Sequence, residues 1–332
     1  MVSLREMLHS MLRHPLRTTL RRLLRYLFSM FIATCEKVRY AQSMNFDYEF
    51  FAYDKAGGQL IPQSLDAFSY PMGDTTIRYT PERGMNGGAQ VMWVRTPAPD
   101  WSLVYSWTNF LRDFDRRILV LPYLPSARGD KDTPSPARIN ATLAAQSGIT
   151  DLVTLDPHSP VWLQTFHSVA GGRVRVHTLD LPSLVKDAVG KLSLDGIIAP
   201  DAGAAYRAGA VARAMNLPLL TATKHRDPAT GRLSRYKSPA DAEERGRYLV
   251  VDDICDGGGT FNLLAEALPS ADLHLWVSHG GFTKGVQSLV NNYSTIYTTD
   301  SLRSAAQNSV GFGAVRVTPL LPAVTRVIGE LS

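Results

Sequence analysis

The segment RYLVVDDICDGGGTF, residues 247–261, constrains the fold more than any other stretch of this chain. A short apolar run, Tyr248 to Val251, leads into two adjacent acids, Asp252 and Asp253. Asp256, Gly257, Gly258, Gly259 and Thr260 follow, and a helical pattern, FNLLAEAL (261–268), begins at once. A strand that passes through glycines into a helix is the repeating unit of a parallel α/β sheet. The glycines carry no Cβ, so backbone N–H groups there can approach a ligand closely. Thr260 stands at the helix start, where unpaired N–H groups and the helix dipole favour an anion. Asp252 and Asp253, one step back at the strand end, are placed to reach hydroxyls or a cation–phosphate assembly. The combination predicts a sugar-phosphate site at the C-terminal edge of a parallel sheet. No Gly-Lys-Ser/Thr follows, which excludes a Walker A loop, and the glycine spacing is not that of a dinucleotide fingerprint.

The rest of the chain supports an α/β class. From residue 46 onward, strand-like and helix-like segments alternate. RRILVLPYL (116–124), DLVTLD (151–156) and GRVRVHTLD (172–180) read as strands, with a helix over about 138–147. A second series starts near 181. It has a helix to about 190, strand DGIIAPD (195–201), helix AAYRAGAVARAM (204–215) and strand LPLLTATK (217–224). A polar loop, the 247–253 strand, the 261–268 helix, strand DLHLWVSH (272–279) and a helix after Gly285 complete it. Two such series predict two α/β domains, each a mainly parallel sheet flanked by helices. The expected limits are 44–180 and 181–332.

Charge is concentrated at one end. Among residues 1–43, seven arginines and Lys37 meet only Glu6 and Glu36, a balance of +6. That leaves −1 for the remainder of a chain whose total is +5. This leader has leucines and arginines at helical spacing, interrupted by Pro15. A dispensable extension ahead of Met44, an organelle-targeting segment and a surface or partner helix are its three readings. Membrane contact, if any, would run through it. Its charge is spread throughout, unlike a secretory signal. Charge alone is weak ground for nucleic-acid binding, and none is expected. Two cysteines make neither a disulfide framework nor a four-cysteine zinc site, so a reducing compartment, the cytoplasm, is the expected location. The longest uncharged apolar run, Tyr26 to Cys35, falls well short of the roughly 18–20 residues that span a bilayer.

The 247–261 segment closely resembles the phosphoribosyl pyrophosphate (PRPP) motif of type I phosphoribosyltransferase-like proteins. Four further segments resemble ribose-phosphate diphosphokinase (PRPP synthetase), in the same order. LVLPYLPSARGDK (119–131) is similar to PY-x-x-x-ARQDRK, and LVTLDPHSP (152–160) to V-x-T-x-D-L-H. IIAPDAGAAYRA (197–208) is similar to V-x-SPD-x-G-x-x-RA, and TKHRDP (223–228) to the KRR-x-P flexible loop. VSHGGFTKG (277–285) and VTPLLPAVTRVI (317–328) are weaker matches, to a THG-x-F-x-x-G segment and to the C-terminal helix. The resemblance covers about 46–330.

The resemblance implies transfer of the β,γ-diphosphoryl group of Mg-ATP to the C1 hydroxyl of ribose 5-phosphate, giving PRPP and AMP. It implies Lys224 and Arg226 as the catalytic pair, on a loop that closes over the reaction. Asp252, Asp253, Asp256, Gly257, Gly258, Gly259 and Thr260 would bind ribose 5-phosphate. Tyr70, Asp74, Arg128, Asp130 and His158 would contact ATP, and Asp201, Ala202 and Gly203 the pyrophosphate. Mg2+ would be held by Asp156, His158 and Asp201. Asp156 and His158, read as alternating on a strand end, would project to one face. Asp201 also suits a helix N-cap, and Arg207 could face phosphate or solvent.

Three departures qualify the match. Gly129 stands where the family has Gln, which puts one nucleotide contact in doubt. In SYPMGDTTIR (69–78), Tyr70 replaces Phe, Met72 stands where an acid is expected, and Asp74 replaces Glu. The segment after Lys131 is shortened, which bears on regulation by phosphate and ADP. Cys255 lies inside the phosphate loop, where a helix N-terminus would lower its thiol pKa and burial would not. SYPMGDTTIR resembles the family's F-x-x-GE segment, which contacts adenine across a subunit interface, so the resemblance implies a homodimer or higher homo-oligomer. The competing readings are a base phosphoribosyltransferase and a catalytically inactive regulatory homologue.

Overall fold

The alternating apolar segments are realised as two six-stranded sheets. The computed structural model describes residues 47–80, 87–226, 233–237, 239, 242–309 and 311–331. The basic leader, Pro228 and Gly231 lie outside the described residues. In chain order the first half comprises β1 (Tyr48–Asp54), β2 (Gln59–Pro62), β3 (Leu65–Ser69), β4 (Thr75–Tyr79) and β5 (Gln90–Val94). It continues with α1 (Trp101–Phe110), β6 (Arg117–Val120), α2 (Pro136–Gln146), β7 (Asp151–Thr154), α3 (Pro160–Ala170) and β8 (Arg175–Thr178). The second half comprises α4 (Leu181–Val189), β9 (Gly196–Ala199), α5 (Ala205–Met215), β10 (Leu219–Thr221), β11 (Thr223–Arg226) and β12 (Leu233–Lys237). After them come β13 (Arg247–Cys255), α6 (Gly259–Glu266), β14 (Asp272–Gly280), α7 (Gln287–Val290) and β15 (Thr295–Thr299). The half closes with α8 (Arg303–Ser309), β16 (Val315–Thr318) and α9 (Leu321–Leu331).

The first sheet has the order β2-β1-β5-β6-β7-β8 and the second β10-β9-β13-β14-β15-β16. All pairings in the second sheet are parallel. In the first, β5 to β8 are parallel while β1 pairs antiparallel with β2 and β5. Strict alternation from residue 46 therefore does not hold. The chain opens with two hairpins, β1-β2 and β3-β4, before the helical crossovers start. Further on, the stretch read as strand 217–224 is split. β10 ends at Thr221, and β11 leaves the sheet to form a hairpin with β12.

Side-chain alternation explains why both sheets are covered on both faces. On β13, Leu249 and Val251 enter the core between the sheets, whereas Tyr248 and Val250 enter a second core beneath α6. On β5 and β6, Val91, Trp93, Ile118 and Val120 face the shared core. Met92, Val94, Leu119 and Leu121 face α1, α2 and α3 instead. Each such side chain contributes about 1.5–3 kcal/mol by leaving water. The shared core also takes Val324 and Ile328 of α9, the last helix, beside Tyr53 of β1. Close approach is enforced there, since a Cβ on Gly329 would come within 2.6 Å of the Tyr53 hydroxyl.

Helix ends follow their sequence signals. Asp100 accepts from the backbone N–H groups of Ser102 and Leu103 at the start of α1, and Asp180 accepts from that of Ser183 at the start of α4. Because the strands β6, β7, β9 and β13 are parallel within their sheets, the loops leaving their C-terminal ends can carry a site. These loops hold Arg128, His158, Asp201 and Asp256.

Candidate active site

The loops from both halves meet around one cleft of about 690 Å3. Its lining includes Arg128, Asp130 and His158 from the first half. From the second half come Asp201, Gly203, Arg207, Asp252, Asp253, Asp256, Gly257, Gly258, Gly259 and Thr260. The structure thus brings together twelve of the residues singled out from sequence, and adds Arg207. Ala202 is exposed on the turn between two of them.

The acid pair lies inside β13, not at its end. Asp252 pairs with Val277 of β14, and the ladder runs on to Cys255. Arg207, in the first turn of α5, joins the acids. Its Nη1 donates to Asp252 Oδ1 at 3.4 Å and its Nη2 lies 3.1 Å from Asp253 Oδ2. Its Nε donates to Asp156 Oδ1 at 2.9 Å. The guanidinium is only 10% exposed. Burial disfavours its charge, but the neighbouring carboxylates outweigh that and hold it cationic. Arg207 therefore lines the cleft with its guanidinium turned onto the acids and little of it open to solvent. It organises the acids.

The two acids are held in different states. Burial first, and then the charge of Asp253, push Asp252 well above the ordinary carboxylate range. Burial also opposes ionisation of Asp253. The hydrogen bond with His158 Nδ1, at 2.6 Å, and the Arg207 charge win there and hold Asp253 below the ordinary range. The same hydrogen bond raises His158. A folded-state proton on Asp252 is one that the unfolded chain releases above 3.8. This contribution to stability is present at low pH and lost as pH rises towards the raised value. Asp252→Asn, which keeps the proton's equivalent, is expected to raise the melting temperature of substrate-free protein by about 2–4 °C at pH 8 and hardly at all at pH 4. Differential scanning fluorimetry at the two values measures this. A lower melting temperature at pH 8 would show that Asp252 is charged in the folded protein.

The glycines divide their work. Gly258 has φ +76°, the left-handed region, and is the N-cap of α6. Any side chain there would be strained and would also press on Leu289, 3.2 Å from the Cβ position. At Gly259 a Cβ would meet nothing within 4 Å, so this edge of the loop is open. The first N–H groups of α6 have no intrahelical partner and suit an anion. Asp256 is tied by Thr283, whose hydroxyl donates at 2.6 Å, and by Arg128 at 2.7 Å. Thr283 first, then Arg128, lowers its pKa.

Asp156 departs from the sequence reading. β7 ends at Thr154, and Asp156 follows with φ +40°, so Asp156 and His158 do not alternate on a strand. Asp156 is not a free ligand either. Its Oδ1 accepts from Arg207, and its Oδ2 accepts from Ser278 at 2.6 Å. Among the described residues, no group of three or more His, Cys, Asp or Glu side chains could hold a metal by itself. Asp201 has the N-cap-like contact expected of it, accepting from Ala204 N at 3.0 Å.

A phosphoribosyl transferase domain model matches residues 184–280. The ribose-phosphate pyrophosphokinase of Cereibacter sphaeroides is 28% identical over 226 residues, which cover 64% of this chain and 65% of that protein. That of Bradyrhizobium diazoefficiens is 30% identical over 204 residues, covering 58% and 62%. That of Rhizobium meliloti is 28% identical over 237 residues, covering 67% and 74%. The phosphoribosylpyrophosphate synthetase structure from Mycobacterium smegmatis superposes with a TM-score of 0.67 at 20% identity, over 82% of this chain and 91% of that one. The chain is thus similar to ribose-phosphate pyrophosphokinases over about two thirds of its length and carries a phosphoribosyl transferase domain match in its second half. It spans a little less than two thirds of the length of the first two relatives. The solved structure establishes the shared fold.

Departures from the pyrophosphokinase pattern have structural reasons. Gly129 lies in a 3-10 turn, where a Cβ would sit 2.4 Å from the Pro136 ring. A Gln cannot replace it unless α2 moves. Tyr70 and Asp74 are at the tip of the β3-β4 hairpin, with Tyr70 49% exposed and Met72 94% exposed. Neither Tyr70 nor Asp74 lines the cleft of its own chain. Lys224 and Arg226 lie on the backbone of β11, paired across the hairpin to β12, with a register break between His225 and Arg226. Their side chains lie outside the description.

Cys255 is fully buried, and its thiol is pushed up to about 12, by burial first and then by Asp256 and Asp252. The helix N-terminus does not win. Iodoacetamide at pH 8 is expected to alkylate Cys255 only after denaturation, as read by peptide mass spectrometry. Labelling of the native protein at that peptide would contradict the burial.

Three residues of the site escaped sequence reasoning: Arg207 as organiser, and Ser278 and His279 of β14. The Arg-Ala pair and the Ser-His-Gly triplet are visible in the sequence. Their partners on the Leu155–Pro157 loop, 50 to 124 residues away, are not.

Proposed function

We propose that the protein transfers the diphosphoryl group of ATP to the C1 hydroxyl of ribose 5-phosphate, giving PRPP and AMP. The observation that carries this reading is the junction of the halves. His158, from the first half, is bonded at 2.6 Å to Asp253 of the second, in the cleft that Gly257, Gly258 and Gly259 also line. A base phosphoribosyltransferase has no need of that first-half loop.

In this reading the sugar hydroxyls lie on Asp252 and Asp253, and the 5-phosphate on the N–H groups of Gly257 to Thr260. The nucleotide takes Arg128, Asp130 and His158, and its leaving phosphates the turn Asp201–Gly203. Asp253 already uses His158 Nδ1, which leaves Nε2 for the nucleotide side. Phosphoryl transfer asks a protein for alignment and charge neutralisation more than for covalent chemistry. Lys224 and Arg226, on their hairpin, supply cations that meet the charge developing on the transferred group. Mg2+ suits this donor set, because it keeps several waters and is completed by substrate phosphates, not by an all-protein cage. Asp201 and His158 would hold it, and when bound it neutralises phosphate charge. Asp156, with both oxygens already engaged, is left out of that set.

Tyr70 and Asp74 stand outside their own chain's cleft, which supports an adenine contact made to a neighbouring subunit and hence at least a homodimer. The two halves are proposed as domains of residues 44–180 and 181–332. Buried, free Cys255 fits a reducing compartment, the cytoplasm. Among the described residues no helix is long and apolar enough to cross a membrane.

The test is direct. Purified protein with Mg-ATP and ribose 5-phosphate should form AMP and PRPP in equal amounts, in the full chain and in one starting at Met44. No AMP at any phosphate concentration would end this reading. Sedimentation velocity checks the assembly, and a fully active monomer would contradict it.

A further inference from the structure

Four consecutive residues leaving β7 are each gripped by the second half. The Leu155 carbonyl accepts from His279 Nε2 at 3.1 Å. Asp156 accepts from Arg207 and from Ser278, the Pro157 carbonyl accepts from Arg207 Nη2 at 3.3 Å, and His158 pairs with Asp253. Asp156 has a left-handed backbone, which a residue with a side chain adopts only when its surroundings impose it.

The grip from β14 is internally determined. His279 is fully buried, and burial favours its neutral form. A neutral imidazole has one N–H. Since Nε2 faces a carbonyl, which can only accept, Nε2 carries the N–H of this contact, and Nδ1 lies 2.9 Å from the Ser301 hydroxyl. Ser278 accepts from Trp276 Nε1 at 3.2 Å and donates onward to Asp156. Neither Ser278 nor His279 lines the cleft. Nor is this polar contact needed simply to join the halves, because Trp93, Val153, Leu155, Val251 and Trp276 already share an apolar core. Buried polar groups are costly unless fully paired, and what such a set adds is a unique geometry.

We infer that Ser278 and His279 are positioning residues. They clamp the Leu155–His158 loop of the first half in register over the acid pair of the second, so that His158 meets the nucleotide at a fixed place. The activity arm of this inference rests on the diphosphotransfer reading, whereas its hydrogen-exchange arm does not.

The experiment compares His279→Leu, His279→Gln and Ser278→Ala with the unaltered full chain. In His279→Leu and Ser278→Ala, amide hydrogen exchange over 155–160 should speed up about tenfold or more, with 248–256 unchanged. Turnover should fall about 10- to 100-fold and KM for Mg-ATP should rise. KM for ribose 5-phosphate should hold, because its glycine loop is untouched. Glutamine can still donate to the Leu155 carbonyl, so His279→Gln should recover most of the loss. Exchange at the wild-type rate over 155–160, or raised equally across both sheets, overturns the clamp. So does a common change in both KM values. If His279→Leu does not fold, Ser278→Ala removes a single hydroxyl and is read by the same criteria. If the unaltered chain forms no AMP, the proposed function has failed, and hydrogen exchange alone decides the clamp.

Discussion

Replacing Arg207 with methionine is expected to cost about 3–5 kcal/mol of stability and to lower the proposed PRPP synthesis at least 100-fold. The guanidinium is buried against Asp156, Asp252 and Asp253. Methionine fills similar space but takes the guanidinium from Asp156 and Asp252 and leaves Asp253 with His158. An uncompensated buried charge is among the few single changes that destabilise on this scale. Urea denaturation should show an earlier midpoint with an unchanged slope. The deficit should narrow as pH falls, because the unpaired acids then take up protons. Lysine should rescue only part of it, having one point charge in place of five donors held in a fork. A variant within about 0.5 kcal/mol of the parent would mean that the cluster is hydrated and that Arg207 does not organise it.

Lys224→Ala is expected to do the reverse, leaving stability intact while turnover falls about 10²- to 10³-fold. Lys224 lies in the short β11-β12 hairpin, which pairs through the backbone at Thr223 with Lys237 and at Lys224 with Tyr236. Alanine keeps every one of those bonds. The loss should fall on kcat, since the proposed role is to meet charge that develops only during transfer. Affinity for ribose 5-phosphate, measured in the absence of nucleotide, should not change. Equal losses of activity and melting temperature would make Lys224 a structural residue. The contrast between the two variants separates a residue that builds the site from one that acts in it.

Much of this site was legible in the sequence because it is local. The run from Tyr248 to Thr260 encodes strand, acid pair, glycine turn and helix start in consecutive residues, and the structure keeps that order. Asp201, with its turn into α5, is local in the same sense. The opening hairpins were not legible, because short apolar runs suit antiparallel and parallel strands equally until their partners are known. Asp156 failed for a related reason. The apolar pattern of β7 continues to Leu155, but a left-handed turn at Asp156 sends that side chain towards Arg207 and Ser278.

By itself, then, the sequence determined the α/β class and the strand, glycine turn and helix start of residues 247–266. Each rests on spacing within one strand–turn–helix unit. Only the tertiary structure decided which charges neutralise one another. Arg207 had been equally compatible with phosphate and solvent, and it is buried among three acids from two halves. Asp252 and Asp253, identical neighbours in sequence, are pushed in opposite directions because His158 reaches only one of them. Electrostatic energy depends on distance and burial, and both are set by contacts between residues far apart in the chain.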